Sequence, residues 1–418
     1  MEKGRRNDRK VVAGMTDPLT TLSPADPALY HEDRWRPMFE RLRAQAPVHY
    51  CADSLYGPYW SVSTYDLIMQ AELRPREFSN RADLGGIQIN DIAKGLDRPA
   101  FVSMDPPEHT PRRRAVAPIG NRSSLRQYED LIRERTGAVI DALPKDEPFD
   151  WVQRVSIDLT AMMLATMLDW PQERRMELMY WSDVATANLN APNPLVKTEG
   201  ERYAVLEQMA DAFAPLWQAR SGGQGGFDLI TMLANNPSTQ EMSRAEFIGT
   251  LFLLIVGGND TTRNSMSGGM LALHQNPTEL EKVRQDRSLI PSMVSEVIRW
   301  QTPVIHMRRT ATADAELGGQ TIRMGEKLVL WYISGNRDES VFEHADAFIV
   351  DRPNARRHLA FGAGVHRCVG DQLAELQLRV LFEEILARGL RFDVIGEPAR
   401  VYSNFIRGLS AMPVRMTV

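Results

Sequence analysis

The sequence predicts a mainly α-helical protein with small β-sheets. Its long segments carry apolar residues at three- and four-residue spacing, the mark of amphipathic helices. Strand-like stretches with turn residues are confined to two short regions. The chain has 418 residues, 43% of them hydrophobic, enough for a large buried core.

Residues 1–20 are expected to form a flexible polar tail and residues 21–418 a single domain. The opening MEKGRRNDRKVVAGM lacks the apolar core of a secretory signal. HEDRWRPMFERLRAQ reads as the first helix, and PVHYCADSLYGPYWSVST as short strands. SLRQYEDLIRERTGAVIDAL and ERYAVLEQMADAFAPLWQAR are periodic helices, and SGGQGG (221–226) is a loop between helices. Ser243 with Glu246 forms a capping box. The apolar run FIGTLFLLIVGG follows it, and the helical pattern lasts to Asn276-Pro277, roughly 50 Å of helix. That run is apolar on nearly every face, which implies burial on all sides. AELGGQTIRMGEKLVLWYISG has turn signals at Gly-Gly and Met-Gly between strands. Last, VGDQLAELQLRVLFEEIL aligns Leu373, Leu376, Val380 and Ile385 on one helix face.

The net charge of −5 and pI near 6.0 give no reason to expect nucleic-acid binding. Phe247 to Val256, the longest apolar stretch, falls far short of the roughly 20 residues that span a bilayer. A soluble, cytoplasmic protein is expected. Cys51 and Cys368 allow at most one disulfide, so the chain is not a disulfide scaffold.

Two stretches carry chemistry. FGAGVHRCVGD (361–371) places Cys368 at or just before a helix N-terminus, where free N–H groups and the helix dipole favour a thiolate. Gly362, Gly364 and Gly370 allow a tight turn and close approach to something flat or bulky. With no second cysteine nearby, zinc and iron–sulfur sites of the usual kind are excluded. One strong thiolate suits haem iron; the alternative is a packed structural cysteine. The G-x-G here is a weak dinucleotide signal, since no strand precedes it. GGNDTT (257–262) breaks the apolar pattern of the buried central helix with residues poor for a helix interior, and a broken local rule marks a candidate site. Thr261 lies one turn beyond Gly257, so its hydroxyl can bond back to the carbonyl of Gly257. The missing side chain opens a groove there.

F-G-x-G-x-H-R-C-x-G resembles the cysteine-loop signature of the cytochrome P450 superfamily. Glu296 and Arg299 in SEVIRW, Arg352 in FIVDRP and GGNDTT match further family motifs in the same chain order, and the resemblance runs from about residue 20 to the C-terminus. It implies the family's fold, with a long central helix over a haem b whose iron takes Cys368 as axial ligand. It also implies O2 as co-substrate, with electrons ultimately from NAD(P)H through a [2Fe–2S] ferredoxin and a ferredoxin reductase. Asp260 and Thr261 would be the acid–alcohol pair supplying protons during O2 activation. Gly257, Phe361, Gly362 and Gly370 would pack on the haem, and His109, Arg113, Arg309 and His366 would meet its propionates. Glu296, Arg299 and Arg352 would form a buried network supporting the cysteine loop. Arg112, Arg114, Arg356 and Arg357 would offer a docking patch to an acidic electron donor.

LLIVGGNDTTRNSMSGGMLAL and RWQTPVIHMRRTATADAELGG resemble the soluble bacterial hydroxylases that oxidise the terminal methyl of medium-chain alkanes and accept fatty acids. Terpene and sterol side-chain hydroxylases share part of this pattern. A haem sensor without oxygenase activity is a third reading, disfavoured by the intact GGNDTT. For a linear apolar substrate, the expected lining is Leu253, Leu254, Val256 and Gly257 on the central helix, with Val304, Ile305 and Met307 after the E-x-x-R helix. Leu84, Ile87, Ile89 and Ile92 would add surface from the loop before His109, and Phe405 and Ile406 would come from the C-terminal turn. Asn90 and Asp91 are candidate gate residues.

Overall fold

The computed structural model describes residues 19, 22–92, 95–223 and 226–417. The tail expected over residues 1–20 lies outside them apart from Leu19, as do positions 224–225 of the SGGQGG loop. The helices are α1 (Pro27–His31), α2 (Arg36–Gln45), α3 (Tyr65–Glu72), α4 (His109–Val116), α5 (Arg122–Asp141), α6 (Asp158–Met167) and α7 (Arg175–Thr186). They continue with α8 (Glu199–Arg220), α9 (Leu229–Ala234), α10 (Arg244–Gln275), α11 (Pro277–Gln285), α12 (Ile290–Gln301), α13 (Tyr332–Gly335) and α14 (Asp371–Ala387). The fold is mainly α, as the periodicity indicates.

Helix α10 is the axis, a 32-residue helix opened by Ser243 and Glu246, whose side chains and backbones cap each other reciprocally. It packs against α6, α7, α8, α12 and α14, so its apolar first half is covered from several sides. This joins Ile248, Leu251 and Ile255 to one large core with Leu164, Leu206, Val297 and Leu378.

The strands form a separate layer. Strands β1 (Val48–Cys51), β2 (Tyr59–Val62), β3 (Phe78–Ser79), β5 (Met307–Ala311) and β8 (Lys327–Leu330) make one sheet in the order β1-β2-β8-β5-β3. Only β2 and β8 pair in parallel; Trp60 lies opposite Leu328. Strands β4 (Pro148–Asp150), β9 (Arg391–Val394) and β12 (Pro413–Thr417) form a second sheet. Two hairpins complete the set: β6 (Ala315–Leu317) with β7 (Gln320–Ile322), and β10 (Ala399–Arg400) with β11 (Leu409–Ala411).

One helix expectation is corrected. HEDRWRPMFERLRAQ is not one helix: only Arg36–Gln45 continues, after α1 ends at His31. Asp33 takes φ 53, a left-handed conformation that stops the first helix, and a proline starts the second. Among the described residues no helix is long and apolar enough to cross a membrane.

Candidate active site

The site is a cavity between α10 and the loop that leads into α14, with about 1500 Å³ of empty space partly continuous with solvent. Cys368, Gly257, Thr261, Arg113, Arg309 and His366 all border it, drawn from four separate elements.

The cysteine loop is closed by its own backbone, the Cys368 N–H donating to the Phe361 carbonyl at 2.8 Å. Gly362 and Gly364 adopt φ +65 and +62, where a side chain would be strained. At Gly364 a Cβ would also meet the carbonyl oxygen of Glu72 at 2.9 Å. Helix α14 begins at Asp371, so Cys368 stands just ahead of its N-terminus, as the sequence indicates. Cys368 opens onto the cavity surface yet is surrounded by protein on its other sides. Burial pushes its thiol up, and the Gly370 N–H, Arg113 and Arg367 pull the other way. The expected ease of ionisation is therefore not met by the dipole alone. A bound metal cation would replace the thiol proton outright.

Across the cavity, the Thr261 hydroxyl donates to the Gly257 carbonyl at 3.0 Å, and a Cβ at Gly257 would find nothing within 4 Å. The groove beside the helix is thus real, with a hydroxyl on its rim. Asp260 is turned the other way. It has no exposed surface and accepts from Ser182 (3.0 Å), Thr186 (2.9 Å) and Asn259 (3.0 Å) while pairing with Arg263 at 2.9 Å. Its carboxylate grips α7 and does not reach the Thr261 hydroxyl directly, because adjacent helix positions diverge by about 100°.

The cationic wall fits an anionic, flat guest. The His109 and His366 rings meet edge-on with centroids 4.7 Å apart, and all four ring nitrogens are buried without a partner. Burial, then Arg309, His109 and Arg113, push His366 down to about 2. Arg309 is buried and pairs with Glu72 at 2.7 Å. With a lone thiol opposite a helix groove and orphaned donors at one edge, these residues fit a haem bearing two carboxylates.

Behind the loop, Glu296 accepts from Arg299 Nε and Nη2 (both 2.7 Å), Arg352 Nε (3.1 Å) and the Ile349 N–H (2.9 Å). Arg299 also donates to the carbonyls of Asn336, Ala345 and Ala347. All three charged residues are buried, so this is an internal network and not a solvated surface pair.

Several expected lining residues lie elsewhere. Leu253, Leu254, Gly257, Val304 and Met307 border the cavity. Val256 sits one step round α10 from Gly257 and packs into the main core. Ile89 and Ile305 are fully buried in a third core around Trp35 and Trp331. Phe405 meets the His306 ring edge-on, and Ile406 bridges Val304 through the backbone. Leu84, Ile87 and Ile92 are outside the lining. Asp91 is a tether, not a free gate: its carboxylate takes Arg308 at 2.7 Å and Lys327 at 3.0 Å, and Arg308 also reaches the Leu84 and Asn90 carbonyls. Arg112 is removed from the docking patch by its ion pair with Glu246, which leaves Arg114, Arg356 and Arg357 exposed.

Asn80, Phe101 and Val102, which no sequence motif singles out, also border the cavity. Phe101 and Val102 stand just before DPPEHT, so proximity to that motif was an available signal. Asn80 Oδ1 is buried without a partner.

A fold of this kind around one cysteine, a helix groove and a cationic rim defines a haem-thiolate protein. The family profile described as Cytochrome P450 matches residues 224–398. A solved structure, Cytochrome P450-153 from Novosphingobium aromaticivorans, superposes with a TM-score of 0.89 at 47% identity, covering 94% of this chain and 99% of that one. Linalool 8-monooxygenase of Pseudomonas putida is 37% identical over 93% of this chain and 97% of its own. A Methyl-branched lipid omega-hydroxylase of Mycobacterium tuberculosis is 30% identical over 90% of each. The chain belongs to the cytochrome P450 family. It is a monooxygenase that uses haem, O2 and electrons from a redox partner.

Proposed function

We propose that this monooxygenase hydroxylates the terminal methyl of medium-chain n-alkanes, fatty acids or related linear apolar molecules. The observation that carries this reading is the apolar part of the cavity that Thr261 borders. Leu253, Leu254, Phe101, Val102, Val304 and Met307 offer it no charged group. Such a wall holds a substrate by shape, and shape alone must overcome the lower bond strength of internal methylenes. The omega-hydroxylase relative supports a chain-end outcome.

A haem b would be held by Cys368, His109, Arg113, Arg309 and His366; when bound, it would supply O2 activation. The chain's own part is positional. Apolar side chains exclude water and orient the chain end. Thr261 keeps its proton at Oγ1 against the Gly257 carbonyl. Asp260 serves as acid only when its carboxylate leaves Ser182 and Thr186, so proton supply depends on α7. Electrons come from a [2Fe–2S] ferredoxin, reduced by its NAD(P)H-dependent reductase, docking at Arg114, Arg356 and Arg357, in the cytoplasm.

The test is product analysis with purified enzyme, ferredoxin and reductase: octane yields mainly 1-octanol. Mostly 2- and 3-octanol would refute chain-end selectivity. Thr261→Ala loses product and releases peroxide, whereas a haem sensor would bind ligands unchanged. A second reading, a terpenoid hydroxylase, is favoured by the linalool relative; turnover of monoterpenes above alkanes would establish it.

A further inference from the structure

Glu72 breaks a local rule. It is the last residue of α3, where the negative end of the helix dipole disfavours a carboxylate, and it is 1% exposed. Burying a charge at such an end is costly unless partners offset it. The partners are Arg309, whose Nη2 donates at 2.7 Å, and Tyr332, whose hydroxyl donates to the other carboxylate oxygen. Both are themselves buried, and both border the cavity that Glu72 does not reach. The trio abuts the cysteine loop. A Cβ at Gly362 would lie 3.4 Å from the Tyr332 hydroxyl, and one at Gly364 would press on the Glu72 carbonyl. A second donor of Arg309, Nη1, is fixed on the Arg308 carbonyl at 2.8 Å. The guanidinium is therefore pinned from two sides while one part of it faces the cavity.

The site must also neutralise two propionates and a thiolate. Arg113 and Arg309 are the arginines on its wall. Glu72 takes part of the charge of one of them. We propose that Glu72 is a positioning residue that fixes Arg309 beside the haem and, through its buried negative charge, lowers the reduction potential of that haem. This rests on the haem site and not on the substrate class. Reduction adds an electron to the haem, and a fixed negative charge in a low-dielectric wall opposes that step.

The test is a spectroelectrochemical titration of the substrate-free holoprotein. Glu72→Gln keeps the shape and removes the charge, so the potential shifts positive by more than the scatter between replicates. Glu77, whose carboxylate is partly exposed and pairs with Arg74, leaves it unmoved when changed to Gln. Haem content and the reduced carbon-monoxide spectrum confirm that the thiolate is retained. An unchanged potential in haem-replete Glu72→Gln overturns the proposal, as does an equal shift in Glu77→Gln. If Glu72→Gln does not retain haem, Glu72→Asp, which keeps the charge, restores haem with a wild-type potential; failure of that rescue overturns it too. Wild-type protein that carries no haem at all would refute the site itself before any potential is read.

Discussion

Asp260→Asn separates the two jobs that the GGNDTT segment can do. In the structure the carboxylate has no exposed surface and four donors converge on it: Ser182, Thr186, Asn259 and Arg263. Asparagine keeps the shape but offers one acceptor oxygen and turns an amide toward groups that donate. Removing one partner of a buried ion pair costs about 3–5 kcal/mol. Arg263 retains Asp183 at 2.6 Å, so the expected loss is at the lower end, about 3 kcal/mol. Urea unfolding followed by tryptophan fluorescence measures it, and amide exchange locates it. Protection falls in α7 and the middle of α10, and stays unchanged in α12 and α14. A loss below about 1 kcal/mol, the scale of one ordinary hydrogen bond, with α7 exchanging as in wild type would refute the docking role.

Glu296→Gln removes the charge that faces Arg299 and Arg352, and is expected to cost about 3–5 kcal/mol with loss of haem from the purified protein; near-wild-type haem content counts against the network. Gly249→Ala is expected to destabilise by about 1–3 kcal/mol, since a Cβ there meets Pro99 and Arg98 backbone at 2.5–2.6 Å. Gly257→Ala meets nothing within 4 Å and should unfold like wild type while changing the substrate-induced spectrum. Burial, opposed only by the bond to Asn404, pushes the fully buried His306 down to about 4. A depressed histidine is neutral when folded and takes up a proton on unfolding, so its stabilisation is complete above about 6.5 and is lost as pH falls toward 4. Between pH 7 and 5 the loss from this residue is about 2 kcal/mol, and His306→Gln should flatten that limb of the urea-midpoint profile.

The long elements were legible because they are periodic. The capping box of α10, the amphipathic faces of α5 and α14 and the buried stripe Leu206, Met209 and Phe213 of α8 need only local spacing. Strands β9 to β12 were not read, since segments of two to five residues are too short for alternation to emerge. Within the site, Cys368 and Thr261 were readable from residue type and immediate neighbours. The direction of Asp260 was not, because Ser182 and Thr186 are 78 and 74 residues away. Glu72 carried no signal either, its partner Arg309 being 237 residues distant. Ile89 and Ile305 looked like lining because apolar character alone does not say which cavity or core a side chain fills.

Arg308 and Arg309 are neighbours on β5, and successive strand residues point to opposite faces. One ties down Asp91 and the Leu84 carbonyl, and the other stands in the haem wall. The 84–91 loop and the wall of the chamber therefore hang from a single dipeptide. Residues inserted or deleted between Leu84 and Asp91 would tug on that hinge pin, so a change in this loop, remote from the cavity lining, would be felt at the arginine expected to seat the cofactor.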